Sequence, residues 1–173
     1  MKKLWSKVLA ELLKNSKQSD RELSQKLGVS QPTVSRIRGR LEKEGYIKEY
    51  TIIPDFIKLG YKIMAMTFAR SQALDKEAAE KARKKIIDSV KHKQFEFVML
   101  ERGIGLGFDA VIVSLHKDYA SYIKVKEWLR QFEFLDVEKI DSFLIDLDDE
   151  VRYRPLTFST LAKDLLVQAQ DKK

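Results

Sequence analysis

Residues 19–50 read SDRELSQKLGVSQPTVSRIRGRLEKEGYIKEY, and this stretch decides the fold. Ser19 followed by Glu22 has the spacing of a capping box, in which hydroxyl and carboxylate satisfy backbone N–H groups reciprocally. Leu23 and Leu27 then supply the apolar i, i+4 face of a short helix. Gly28 ends it, because glycine enters the left-handed conformation without steric cost. Ser30 reads as a second N-cap, and Pro32 falls in the first turn, where a missing N–H costs nothing. Val34, Ile37 and Leu41 share one face at helical spacing, and Gly45 closes the helix. A strand over Tyr46–Tyr50 and a small basic hairpin should follow. The sum is two short helices, a tight turn and a wing. Such a winged helix-turn-helix lays its second helix in the major groove of DNA.

The side of that helix opposite Val34 and Leu41 carries Arg36, Gly39 and Lys43, flanked by Thr33, Ser35 and Arg40. Gln31 and Thr33, in the first turn, are placed to reach base edges. Arg36 suits either a guanine or a phosphate, and the sequence does not choose between them. Gly39 costs about 1 kcal/mol relative to alanine in an exposed helix interior, which a close approach to the DNA backbone would explain. The expected DNA-contacting set is Ser30, Gln31, Thr33, Ser35, Arg36, Arg38, Arg40, Lys43 and Lys48. An ordinary solvated helical hairpin would also have a charged face. The joint occurrence of two caps, a turn glycine, a basic face and a glycine stop favours DNA.

Charge is distributed to match. Residues 1–60 hold 13 Lys+Arg against 7 Asp+Glu, a net of +6, and residues 61–173 hold 20 against 19, a net of +1. A basic domain joined to a nearly neutral one is the electrostatic footprint of nucleic-acid binding. The chain has no cysteine, which excludes disulfides and thiolate metal sites, and its two histidines, His92 and His116, make a poor metal site. No metal, cofactor or catalytic residue is expected. Lys7 and Glu11 interrupt the apolar run that a signal peptide would need after Lys2 and Lys3, and no stretch approaches a membrane span. A cytoplasmic protein with no membrane contact is expected.

At 173 residues the chain has room for two small domains. Leu4, Val8, Leu9, Leu12 and Leu13 make an amphipathic first helix ending near Asn15, which backs the helix-turn-helix. Trp5 reads as a core residue ahead of a dimer contact. Residues 1–51 form the first domain and 52–61 a linker with a turn at Pro54 and Asp55. Residues 62–150 form the second domain, and 151–173 a C-terminal helix and tail. Within the second domain, strands are expected over Lys62–Arg70, Phe95–Arg102, Asp109–His116 and Val137–Leu147. Helices should span Lys76–Val90 and Tyr119–Phe132, the first turning Ala78, Ala79, Ala82, Ile86 and Val90 to the core. The order βαββαβ is the ferredoxin-like arrangement, so the fold class is α+β. Thr157–Gln168 reads as a closing helix with Leu161, Leu165 and Leu166 on one side. The run Gly103-Ile104-Gly105-Leu106-Gly107 precedes a strand rather than a helix, so it is no dinucleotide fingerprint. A hairpin turn with glycines at positive φ is its plain reading.

The segment GVSQPTVSRIRGRLEKEGYIKEYTIIPDFIKLGY is similar to the N-terminal region of the Lrp/AsnC family of prokaryotic transcription regulators. The match lies in a cap serine, T-V-x-R, R-L-E-x-x-G-x-I and the exit D-x-x-x-L-G-Y at Asp55, Leu59, Gly60 and Tyr61. One departure stands out: the family usually has a basic residue at Ile37 and an apolar one at Arg38, an exchange that would rotate the helix face slightly. In the second half G-F-D-A-V-I-V-S-L-H-K-D-Y resembles the family's effector and oligomerisation domain. The family's usual glycine-valine before the last strand is replaced by Leu135-Asp136-Val137. The resemblance implies double-stranded DNA as partner and a homodimer, which family members often build into tetramers or octamers. It also implies a small effector, often an amino acid, bound near Gly105, Gly107 and Asp109. Dimerisation is expected on physical grounds too. A four-stranded sheet with helices on one face leaves the other bare, and Met64, Met66, Phe68, Val111, Val113, Phe143 and Ile145 supply apolar side chains for the two faces.

Two other function classes compete. Siroheme decarboxylases resemble this family in architecture, and His116 is the one candidate for their tetrapyrrole chemistry; no further cluster surrounds it in the sequence. A sensor or oligomerisation module without a DNA target is the third class, and the N-terminal charge excess speaks against it.

Overall fold

The computed structural model describes residues 3–72, 75–92, 95–151 and 153–168. In chain order the elements are α1 (Lys3–Lys14), α2 (Asp20–Leu27), α3 (Gln31–Lys43), β1 (Ile63–Ser71), α4 (Lys76–His92), β2 (Glu96–Gly105), β3 (Phe108–His116), α5 (Tyr119–Leu129), β4 (Leu135–Asp146) and α6 (Leu161–Gln168). They form two compact units, Met1–Ile53 with Tyr153–Lys173, and Pro54–Arg152.

The local signals of the first unit act as read. Ser19 Oγ accepts from the Glu22 N–H at 3.2 Å, and Glu22 Oε2 accepts from the Ser19 N–H at 2.7 Å. These bonds hold the exposed Glu22 carboxyl below its ordinary range. Gly28 ends α2 at φ +64°. Val8, Leu12, Leu23, Val34, Ile37 and Leu41 interlock as the three-helix core, with Trp5 packed half-buried against it. Ser30 differs from expectation. Its backbone is extended as an N-cap should be, but its hydroxyl makes no cap bond and pairs instead with the Thr33 hydroxyl at 2.8 Å.

The expected Tyr46–Tyr50 strand is not formed. Gly45 takes φ +76°, the N–H groups of Tyr46 and Ile47 both donate to the Leu41 carbonyl, and residues 48–53 run without a strand partner. Closure onto Leu41 uses the donors that a wing strand would need, and Pro54 has none to offer a returning strand.

The last helix supplies a contact the sequence did not announce. α6 packs on α1. On α1, Ser6 and Ala10 are buried but lie opposite the stripe that faces the three-helix core. Two small residues there let a second helix approach closely, and Ala162 of α6, itself 1% exposed, is equally small. Leu13, expected on the core stripe, lies half-buried on this second flank.

The second unit opens with the Asp55–Tyr61 exit, now a closed turn. Asp55 Oδ1 accepts from the Lys58 N–H at 3.2 Å, Gly60 adopts φ +86°, and the Tyr61 N–H donates to the Phe56 carbonyl at 2.9 Å. That explains the D-x-x-x-L-G spacing: a side-chain acceptor at its start and a left-handed residue at its end. The sheet has the order β2-β3-β1-β4 and is antiparallel throughout. One face is built on Trp128, whose ring lies 5.4 Å from Phe97, 5.6 Å from Phe95 and 5.0 Å from Phe132. Ala69, Ile112, Val125, Leu129, Leu135 and Ile140 complete that core. α4 is seated lightly: Ala78, Ala79, Ala82, Ile86 and Val90 are half-buried, and none of its residues is fully so. On the opposite face Met66 pairs with Val113 and Phe143, and Met64 with Leu115 and Ile145. Phe143 is 65% exposed there.

The glycine run folds as the plain reading had it, with one change. Gly105 pairs with Phe108 across a two-residue turn, and both central residues have positive φ, +54° at Leu106 and +81° at Gly107. Positive φ at both positions is the signature of a type I′ turn. A leucine therefore occupies one left-handed position, while Gly103 and Gly105 lie in β2.

Candidate nucleic-acid interface

Helix α3 is held by Val34, Ile37 and Leu41, which are 0%, 4% and 0% exposed. Ile37 thus belongs to the core stripe that its spacing predicts. The opposite side presents Gln31, Ser35, Arg36, Gly39, Arg40 and Lys43 to solvent, and Lys48 is exposed beyond the helix. A Cβ added at Gly39 would meet nothing within 4 Å, so no intramolecular contact requires the glycine. Among the described residues, Arg36, Lys43 and Lys48 have no ion-pair partner. Unpaired cations on one side of an exposed helix leave their full charge to an anionic partner. Arg21 in the first turn of α2 is a further exposed cation of this kind, outside the expected set.

Two of the expected cations are engaged within the unit. Arg40 lies 5.0 Å over the Trp5 ring and 3.4 Å from Glu44, which leaves its guanidinium half-exposed. Arg38 is withdrawn altogether from the outward set. Its Nε donates to Asp20 Oδ1 at 2.7 Å and its Nη2 to the Gln18 carbonyl at 2.8 Å. The physical reason is position on the wheel: Arg38 flanks the core stripe on the side of α2, where a carboxylate and an uncapped carbonyl await it. Burial disfavours its charge, but the neighbouring Tyr50 hydroxyl and the Asp20 carboxylate outweigh that and raise its pKa above the ordinary value. Tyr50 is likewise raised, first by burial and then by donating to Glu42 Oε1 at 2.8 Å.

The candidate effector residues lie at and just after the β2–β3 turn. Gly105 and Gly107 build the β2–β3 turn, while Asp109 Oδ1 accepts from the N–H and hydroxyl of Ser71, at 2.9 and 3.2 Å. Asp109 therefore ties β3 to the end of β1, just past the irregularity between Ala69 and Ser71.

A profile described as winged helix-turn-helix DNA-binding matches residues 6–48. The HTH-type transcriptional regulator LrpC of Bacillus subtilis is 37% identical over 70 residues, 40% of this chain and 49% of that protein. The chain thus matches about half the length of LrpC. An uncharacterised HTH-type transcriptional regulator of Pyrococcus horikoshii, PH0061, is 30% identical over 141 residues, 80% of this chain and 86% of that one. The chain belongs to the Lrp/AsnC family. The crystal structure of PH0061 superposes on this Lrp/AsnC chain with a TM-score of 0.70 at 25% identity, over 90% of this chain and 97% of the other. The fold also matches the regulator NMB0573 of Neisseria meningitidis, solved with L-Met, with a TM-score of 0.75 at 18% identity over 92% and 95% of the two chains.

These relatives are named as transcription regulators, which removes the support for the decarboxylase alternative. His116 fits that outcome. It is 3% exposed, shares a 2.8 Å hydrogen bond with the Ser114 hydroxyl and meets the Tyr122 ring edge-on. Burial lowers its pKa below the usual value, against the pull of Glu96 and Asp118. A histidine buried neutral stabilises the fold fully only above its unfolded pKa of about 6.5, and that contribution is lost as pH falls through the lower folded value. Thermal melts of the second unit should therefore shift downward below about pH 6.5, with a shallower slope in His116→Gln. An equal slope in both proteins would assign the acid sensitivity elsewhere. Among the described residues no helix is long and apolar enough to cross a membrane, and no group of acidic, histidine or cysteine side chains is gathered to hold a metal.

Proposed function

We propose that this Lrp/AsnC member binds double-stranded DNA in a sequence-specific way and regulates transcription, with α3 as the recognition helix. The observation that carries this is the exposed side of α3, where Arg36 and Lys43, with Lys48 beyond the helix, face solvent without ion-pair partners among the described residues. Gln31 and Ser35 offer hydrogen bonds to base edges, while the lysines suit phosphates. Ser30 and Thr33 stay in the contacting set through their hydroxyls, whose mutual bond leaves one O–H donor and further lone pairs free, while the Thr33 N–H is taken by the Ser30 carbonyl at 3.0 Å.

The bare sheet face supports the partner reading. Met64, Met66, Phe68, Val113 and Phe143 form an apolar surface that a second copy would cover, giving a two-fold dimer with two recognition helices. Tetramers or octamers are the larger assemblies that the family resemblance carries. A small effector of the amino-acid class completes the reading. Its support is the likeness to a fold solved with L-Met, and the glycine turn at Gly105 and Gly107 with Asp109 is where family resemblance puts it.

One series tests this. Gel shifts with genomic fragments, including the protein's own upstream region, should yield a retarded fragment, sedimentation should give at least a dimer, and added amino acids should change the shift. On that fragment Arg36→Ala should weaken binding by about 1–3 kcal/mol if it reads a base. Lys43→Ala should weaken cognate and unrelated DNA alike and reduce the salt slope by about one. Unchanged affinity in both variants would overturn the assignment of α3.

A further inference from the structure

Arg38 is the one basic residue of α3 that turns inward, and what it grips is the junction of all three helices. Its Nε–Oδ1 bond of 2.7 Å goes to Asp20, the first residue of α2, and its Nη2 reaches the Gln18 carbonyl just before the α2 cap. Gln18 is itself a hub. It is 6% exposed, and its side-chain amide donates to the carbonyls of Glu11 and Asn15 at the end of α1, while its amide oxygen accepts from Lys26 of α2. On its other side the Arg38 guanidinium lies 5.9 Å over the Tyr50 ring, and Tyr50 is fastened to Glu42 of α3. One planar, multidentate cation thus joins α3 to the α1–α2 turn and to the segment that carries Lys48. The Arg38 and Asp20 side chains are 18% and 23% exposed, so the pair is shielded from the screening that weakens a surface ion pair.

We infer that Arg38 is a positioning residue for DNA reading: it fixes the angle of α3 on α2 and the place of the Lys48 segment, and it does not contact DNA. This rests on the DNA-binding reading above. The geometry explains why an arginine can stand at 38 with Ile37 inside. The two side chains lie on opposite flanks of the core stripe, one filling the core and the other closing its polar edge. A lysine at 38 would have to reach both acceptors from one nitrogen, without the planar fork that lets Nε and Nη2 meet them separately.

Positioning and phosphate contact differ in what they do to salt dependence. Arg38→Met, assayed at a temperature where circular dichroism shows the variant fully folded, should lower affinity for the cognate fragment about tenfold, which is about 1.4 kcal/mol. Its affinity for unrelated DNA and its salt slope should stay at the wild-type values. Asp20→Asn gives a second arm with an opposite sign. It removes a negative charge, so electrostatics alone would tighten binding to DNA, whereas loss of the clamp should weaken cognate binding as Arg38→Met does. A salt slope reduced by about one in Arg38→Met, or tighter cognate binding by Asp20→Asn, would overturn the inference. Amide exchange without DNA keeps the two readings apart. Arg38→Met should speed exchange at the start of α2 and over residues 46–53, and unchanged exchange would refute the clamp even if DNA binding stands. If wild-type protein retards no fragment, the regulator reading falls while exchange still decides whether Arg38 holds the junction.

Discussion

Trp128→Ala is expected to lower the stability of the second unit by about 3–5 kcal/mol, the range for deleting a large buried aromatic. Trp128 is 4% exposed and touches Phe95, Phe97 and Phe132 at centroid distances of 5.0 to 5.6 Å. It bridges α5, β2 and the stretch that leads into β4. The space is not readily refilled: α4, which covers this side, contributes Val90 to the cluster and no fully buried residue. A collapse of α4 inward would recover only part of the loss. The chain has just two tryptophans, Trp5 in the first unit and Trp128 in the second. The variant therefore leaves Trp5 as sole emitter, and calorimetry should show the second unit melting earlier while Trp5 reports the first unit unchanged. A cost under 1 kcal/mol would mean that the sheet is held by its open face more than by α5.

How far the sequence reveals this molecule depends on how local each signal is. The capping box at Ser19 and the left-handed Gly28 act within four residues, and both are in place. The βαββαβ order followed from alternating patterns of strand and helix length, and the sheet order β2-β3-β1-β4 is the one that arrangement produces. What escaped is non-local. Arg38 finds Asp20 eighteen positions earlier, and nothing in the spacing of α3 distinguishes an outward arginine from one at the edge of the core stripe. α6 finds α1 from the far end of the chain, and the only trace in the sequence is the second stripe of Ser6, Ala10 and Leu13, easily passed over beside the leucines. Tyr46–Tyr50 has strand composition, but a strand needs a partner, and the Leu41 carbonyl captures its first two donors, so this part of the winged helix-turn-helix runs without a ladder. The candidate effector residues show the same limit. Asp109 carries the right chemistry for an amine, yet its carboxylate has a structural duty at Ser71 that no motif reveals.

Leu41→Ala is expected to cost the first unit about 2–5 kcal/mol, and here the loss should reach DNA binding. Leu41 is 0% exposed, packs among Val8, Leu12, Leu23, Val34 and Ile37, and its carbonyl receives both Tyr46 and Ile47. Truncation removes the last core contact of α3 and loosens the turn that leads to Lys48. A unit with so small a core has only about 3–5 kcal/mol to lose, so the substitution consumes most of it. In a Trp128→Phe background, where Trp5 alone emits, the fluorescence transition should move down by more than ten degrees, since ~1 kcal/mol shifts a small domain's midpoint by about 4–8 °C. Retardation of the cognate fragment at 37 °C should be lost, while the calorimetric transition of the second unit stays where it is in the same background. Two separate cores predict that separation. Trp128→Ala must move one transition and Leu41→Ala the other, and a single transition shifted by both would show that the units fold as one.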